Sequence, residues 1–457
     1  MTLYNQTDAV SPVLKVVHGT LSNGLRVIVL QLPHVHAVSL ALMVRAGPRY
    51  ETLDSNGISH LVEHLLFRGT DQHPSSYALN VAIEALGGEI NGLTQRDATT
   101  IHMTVPPVAA EAGLAILGEI VTRPLLSGID VERSVVIEEI LDTTNGDGLE
   151  TDIDAIARRV FWEDHPLSLP IAGSAENVER FTEAQCRAHF ERTFVATNGV
   201  LCIAGPVDEP KLLAVAERAF GAMPRGVRLP DGLVPTTRDL PPIHVQETED
   251  SQVALLMSFP APHENHPDFP ALLLLRRILD DGLASRMRQA VCEQRGLAYS
   301  LSASIDAYSD AGALDLDASC APKKLVQTAG QMLTTLRTLV EDGVHADELV
   351  RVKTRHRAEL EFGLDDPSEM CGWYGATELL GCRSTFVDRL SEAMAVTAED
   401  LRRVAGEVFD PSRALLTLIG PAKKTTILEL EKLFGRRRGS TVLLNTAEEA
   451  EADVEAA

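Results

Sequence analysis

The chain has 457 residues, enough for two to four domains at roughly 100–200 residues each. Its 41 Lys and Arg against 65 Asp and Glu leave a formal charge of −24, a field that repels polyanions and argues against a nucleic-acid partner. Hydrophobic residues at 45% and charged residues at 23% exclude global disorder, and 4% aromatics leave the cores to Leu, Val, Ile and Ala.

From the N-terminus, Met1 to Leu14 has no basic stretch followed by an apolar run, so no signal peptide is expected. The longest apolar stretches, Val38 to Val44 and Ala271 to Leu275, are too short to cross a bilayer, which argues against a membrane partner. Cys186, Cys202, Cys292, Cys320, Cys371 and Cys382 form no CxxC pair and read as reduced, mostly buried thiols of a cytoplasmic protein.

Period and turn signals predict strands at Leu25 to Val29 (after the Asn23-Gly24 turn), Val38 to Val44 and Ala98 to Val105. Helices are predicted at Ile58 to Leu66, Tyr77 to Leu86, Pro107 to Thr122 and Asp130 to Asp142. In the last of these Val131, Val135, Val136 and Ile140 are expected to pack inward. Hairpins and helices in this order suggest an α+β layer, with helices on one face of a mixed, largely antiparallel sheet.

The chain also repeats itself. Thr182-Glu183-Ala184 leads to Phe194 and Gly205-Pro206, and Thr397-Ala398-Glu399 leads to Phe409 and Gly420-Pro421, an offset of 215 residues. The apolar runs starting at Val38 and Val253 share that offset, and the Gly128 and Gly343 segments match it within one residue. Two homologous modules follow, at 1–223 and 243–446, joined by a Pro-rich linker at 224–242 and followed by an acidic tail at 447–457.

The most informative stretch is His60-Leu61-Val62-Glu63-His64. On a helix the two histidines lie one turn apart on one face, and Glu63 stands beside that face within reach of metal-bound water. Two helical histidines can equally be structural, so a third ligand is the decisive requirement. In the 130–142 helix Glu132 and Glu139 share a face two turns apart. Glu139 can complete a His2Glu set for Zn²⁺, and Glu132 can support a ligand histidine; the alternative is that both are solvated surface. His34-x-His36 and the His263 to His266 segment, both in loop-like stretches, are weaker metal candidates.

The inverted His-x-x-Glu-His motif, with a glutamate about 75 residues later in a Val-Ile-Glu-Glu-Ile setting, resembles the pitrilysin/insulinase (M16) family of zinc metallopeptidases. The likeness runs through Leu21-Ser22-Asn23-Gly24-Leu25, Gly87-Gly88 with Asn91 and Thr94, and Arg295 to Ser300, and is greatest to the processing-peptidase-like branch. It implies one Zn²⁺ per chain on His60, His64 and Glu139, Glu63 as general base, Glu132 as a supporting residue, and an endopeptidase acting on small or unfolded peptides. It also implies a clamshell chamber between two homologous halves, and makes Glu89 to Gln95 an edge strand that holds substrate backbone, with Asn91 and Thr94 as contacts.

The constant offset sets Leu275, Ile278 and Leu279 opposite His60, Glu63 and His64, so the second module is expected to bind no metal. Active single-chain members of the family pair an Arg with a Tyr seven residues later. Here Tyr299 is present, but Cys292 stands at the Arg position. The resemblance therefore implies a zinc-bearing chain served by a companion subunit that carries the Arg/Tyr pair, or a homodimer. A non-catalytic assembly subunit is the alternative.

Overall fold

The run Val38–Val44 is buried along its whole length, which an alternating strand allows only if both faces of its sheet are covered. In the computed structural model this is how the sheet is built. The structure describes residues 14–146, 148–235, 241–382 and 385–434, and the backbone of Thr441–Leu444. The expected tail at 447–457 and linker positions 236–240 lie outside the described residues.

The first sheet has six strands: β1 (Lys15–Thr20), β2 (Arg26–Gln31), β3 (Val38–Val44), β4 (Glu89–Thr94), β5 (Thr99–Val105) and β6 (Gly199–Gly205). Their order is β1-β2-β6-β3-β5-β4, and only the β2/β6 pair is parallel. The second sheet has β7 (Ile243–Gln246), β8 (Val253–Pro260), β9 (Ala298–Ala307), β10 (Gly312–Cys320), β11 (Leu415–Ile419) and β12 (Thr441–Leu444). In its order, β12-β7-β11-β8-β10-β9, the five strands β7-β11-β8-β10-β9 repeat β2-β6-β3-β5-β4 of the first, with β4 and β9 as matching edges; the outer strands differ, β1 being antiparallel to β2 and β12 parallel to β7.

Helices of the first half are α1 (Ile58–Leu66), α2 (Ser76–Glu84), α3 (Ala110–Thr122), α4 (Ile129–Asp142), α5 (Ile153–Trp162), α6 (Ala175–Arg180), α7 (Glu183–Thr193) and α8 (Glu209–Phe220). Those of the second are α9 (Phe269–Leu279), α10 (Arg286–Arg288), α11 (Leu325–Asp342), α12 (Ala346–Gly363), α13 (Pro367–Leu380), α14 (Phe386–Ala395), α15 (Ala398–Val408) and α16 (Lys424–Leu433). The repeat shows in local chemistry: Thr182 with Gln185 and Thr397 with Asp400 form capping boxes on α7 and α15. Gly205 and Gly420 end β6 and follow β11 with φ of 146° and 128°.

The halves exchange a helix. α13 covers the back of the first sheet, where Met370, Cys371 and Tyr374 pack on Ile28, Leu30, Ala41, Met43, Val200 and Cys202. Reciprocally, Phe161 and Trp162 of α5 pack with Ala313 and Leu415 of the second sheet. Helices confined to one face of the sheet, as the local pattern suggested, is therefore corrected: the second cover comes from the other half of the chain. Arg158 of α5 crosses with it and is held by Asp315 of β10 and by Asp306 at 2.9 Å.

The described part of the linker, 224–235 and 241–242, contains no helix or strand and runs between the halves. Asp231 there accepts from Arg45, from Tyr50 Oη at 2.7 Å and from Ser309 Oγ at 2.9 Å. Five of the six cysteines are buried, Cys292 is partly buried, and all are free thiols.

Candidate metal centre

α1 is anchored by Ile58, Leu61, Val62, Leu65 and Leu66, each at most 4% exposed, in the core of the first half. This turns His60 and His64 toward α4. On α4 the buried positions are Ile129, Glu132 and Val136. Val131 and Val135, expected inward, are instead 51% and 41% exposed. The face that carries Glu132 and Glu139 is the one presented to α1, and the valines one residue earlier rotate outward.

The donors converge. His60 Nε2 and His64 Nε2 are 3.4 Å apart, and Glu139 Oε2 stands 3.6 Å from the first and 3.7 Å from the second. Donors about 2.0–2.1 Å from a tetrahedral ion lie about 3.4 Å from one another, so these two imidazoles and one carboxylate fit Zn²⁺ in both spacing and chemistry. Glu139 is 45% exposed and forms the open side of the group. Glu132 Oε2 lies 3.1 Å from His64 Nδ1, which turns Nε2 toward the shared point, and Arg68 Nη1 donates to Glu132 Oε1 at 3.2 Å. Burial, and then the neighbouring His64 charge, push His60 down to about 4, so its imidazole is neutral at neutral pH.

Glu63 is 8% exposed and accepts from Thr94 Oγ1 at 2.6 Å. Its carboxyl is raised above the usual range by burial, and the Thr94 hydroxyl opposes that rise. Thr94 is itself 6% exposed, so it lies beneath Glu63 and not on the open side of the strand where a substrate contact was expected. Strand alternation explains this: positions 90, 92 and 94 of β4 face α1, while Glu89, Asn91 and Leu93 are exposed on the other side. Gly92 was missed by the sequence reading. A Cβ there would collide with the Glu63 carboxylate, and a glycine inside an edge strand was the available signal.

β4 is the free edge of its sheet, and Asn91 is exposed on it. A cavity of about 640 Å³ lies between the halves, lined by Leu93, His102, Asp97, Tyr308, Cys371 and Leu379 among others. It lies on the Asn91 side of β4, so it is separate from the His60 group and adjoins the strand edge. Tyr299, on β9, is 92% exposed, and no described hydrogen bond or ion pair connects it to the residues around His60. Cys292 packs partly buried against the core of the second half.

The equivalent helix pair of the second half is bridged without a metal. α9 carries no His, Asp or Glu, and it ends 213 residues after α1, so the constant offset slips here. Arg277 of α9 donates to Glu359 of α12 at 2.6 Å and to Asp281 at 2.9 Å, supplying as a guanidinium the cation that links the pair. A second group of carboxylates, Asp154, Asp306 and Asp315, also converges, but the Arg158 guanidinium occupies its centre.

Comparisons with known proteins agree with this architecture. The sequence profile described as Insulinase (Peptidase family M16) matches residues 26–173, and that described as Peptidase M16 inactive domain matches residues 180–355. A Mycobacterium tuberculosis protein named as an uncharacterised zinc protease is 30% identical over 430 residues, 91% of this chain and 96% of the relative. A Bacillus subtilis protein of the same description is 26% identical over 410 residues, 88% of this chain and 98% of the relative. Among solved structures, a peptidase M16 inactive domain protein from Pseudomonas fluorescens superposes with a TM-score of 0.82 at 18% identity, covering 90% of this chain and 100% of that one. A Helicobacter pylori protease gives a TM-score of 0.80 at 19% identity, covering 89% and 100%. The chain belongs to the insulinase family of peptidases, family M16.

Proposed function

We propose that the chain is a zinc-dependent endopeptidase, or the zinc-bearing member of a heteromeric one, acting on small or unfolded peptides. The observation that carries this reading is the 3.4–3.7 Å triangle of His60, His64 and Glu139 beside the buried, threonine-anchored Glu63. One Zn²⁺ per chain would be held by those three residues; when bound, it supplies Lewis acidity that activates water and polarises a carbonyl. Glu63 acts as general base, taking a proton from the attacking water and passing it to the leaving amine. Thr94 holds the Glu63 carboxylate in place, and Glu132 orients the His64 ring. A peptide adds as a strand along the β4 edge, with Asn91 beside it. Tyr299 and Cys292 contribute nothing to this geometry, so the reading includes a companion subunit, or a second copy, that completes the substrate grip.

A pool of unstructured peptides incubated with the purified chain and read by mass spectrometry tests the proposal. Wild type should cut, and Glu63→Gln should retain zinc while losing essentially all turnover. Substantial turnover by Glu63→Gln removes Glu63 from its role. A folded, zinc-loaded wild type that cuts nothing favours the companion-dependent form, and a folded chain that takes up no zinc favours a non-catalytic assembly role.

A further inference from the structure

His60 and His64 are held differently. His64 Nδ1 is fixed by Glu132, whereas His60 Nδ1 is buried and has no hydrogen-bond partner among the described residues. The direction of the His60 ring therefore depends on the backbone of the first turn of α1, where it is the third residue. That turn starts at Gly57, with a φ of 96° and no side chain to cap the helix. A Cβ at Gly57 would stand 2.6 Å from the Ala172 carbonyl oxygen, so no ordinary capping residue fits.

Glu51 supplies the cap from outside the helix. Gly57 N donates to its Oε2 and Ser59 N to its Oε1, both at 2.9 Å, and Asn56 Nδ2 donates to Oε2 at 3.0 Å. The side chain is 4% exposed. No Lys, Arg or His pairs with it among the described residues; burial raises its carboxyl above the usual range, and the hydrogen bonds from the start of α1 oppose that rise. The two residues before it reach across the molecule. Arg49 Nη2 donates to Asp310 Oδ1 of the second half at 2.6 Å, and Tyr50 Oη to Asp231 of the linker at 2.7 Å. Glu51 thus stands between the grip of the second half on Arg49 and the first turn of the metal helix.

We propose that Glu51 is a positioning residue for the metal helix, fixing the first turn of α1 and with it the His60 ring, and that the metal-free second half steadies it through Asp310 and Arg49. The inference rests on the zinc reading above. It gives the second half a task beyond enclosing substrate.

Wild type, Glu51→Gln, Glu51→Ala and Asp310→Asn are compared by chelator competition for zinc and by amide hydrogen exchange of the zinc-free chains. Gln keeps one carbonyl acceptor and can satisfy one of the two backbone N–H groups. Zinc Kd should rise about 10-fold in Glu51→Gln and about 100-fold in Glu51→Ala, with a smaller rise in Asp310→Asn. Exchange should quicken across residues 57–62 in Glu51→Gln while α4 and α9 keep wild-type rates; a merely structural role would loosen all three together. If Glu51→Ala does not fold, Glu51→Gln carries the test. A Glu51→Gln chain with zinc Kd within about 2-fold of wild type, or with unchanged exchange at 57–62, overturns the proposal. If wild type itself takes up no zinc, the zinc reading fails, and the exchange comparison alone decides whether Glu51 fixes the turn.

Discussion

Replacing Thr94 by valine isolates one hydroxyl. Valine has nearly the same shape and suits the buried position, but it deletes the donor that stands 2.6 Å from Glu63 Oε2. Hydrogen bonds to charged groups contribute about 1.5–3 kcal/mol. If that energy holds the base in its reactive position, kcat falls roughly 10- to 150-fold. KM should change less than about 2-fold, because the strand contacts near Asn91 do not involve Thr94. Zinc content should not change, since His60, His64 and Glu139 are untouched. Single-turnover cleavage of a fluorogenic, unstructured peptide gives the rate, and elemental analysis of the same sample gives the metal. Thr94→Ser restores the hydroxyl and should recover most of the loss. A zinc-loaded Thr94→Val chain with kcat within about 2-fold of wild type would show that this hydrogen bond does not orient Glu63, and the reasoning would fail.

Glu132→Ala leaves His64 Nδ1 without its carboxylate and should weaken zinc binding about 10- to 100-fold, read by chelator competition. Arg158→Met leaves Asp315, 2% exposed, without its cation and should cost about 3–5 kcal/mol in urea unfolding. The Asp154 and Asp306 contacts, 49% and 35% exposed, add little to that figure, and a second substitution, Asp315→Leu, should recover much of it. His356 is held down to about 4 from an ordinary 6.5 by burial and then by the Arg277 charge. The unfolded chain takes up this proton at a higher pH than the folded one, so stability present at neutral pH is lost as pH falls from 6.5 toward 4. The slope is at most about 1.4 kcal/mol per pH unit, and His356→Gln should flatten it in denaturant midpoints taken at several pH values across that window.

Local pattern carried the elements well where burial is one-sided or complete. The runs Val38–Val44 and Ile58–Leu66 have the predicted bounds, because a fully apolar strand and a 3.6-period stripe each match one regular structure. α4 shows the opposite case. Its apolar residues lie all around the helix, so Val131 and Val135 looked as suitable for the core as Val136, and only the position of α1 decided between them. The proposed metal site was legible because His60, Glu63 and His64 share one helix turn and because the stretch around Glu139 carries the family resemblance. The residues that prepare it were not: Glu51 reaches α1 across two short turns, and Gly92 and Thr94 matter only because β4 lies against Glu63.

By itself, then, the sequence pointed to two copies of one α+β module and to a histidine pair able to share one ion, because repeats, periodicity and i, i+4 spacing are properties of local chain geometry. Tertiary structure alone decided that α5 and α13 change places to cover the opposite sheets, and that Arg277 bridges in the second half what a metal ion would bridge in the first. It also decided that the cavity lies on the Asn91 side of β4, away from the donors. These are contacts between residues up to several hundred positions apart. They follow from which surfaces remain to be buried once the local elements have formed, and no short-range pattern records that.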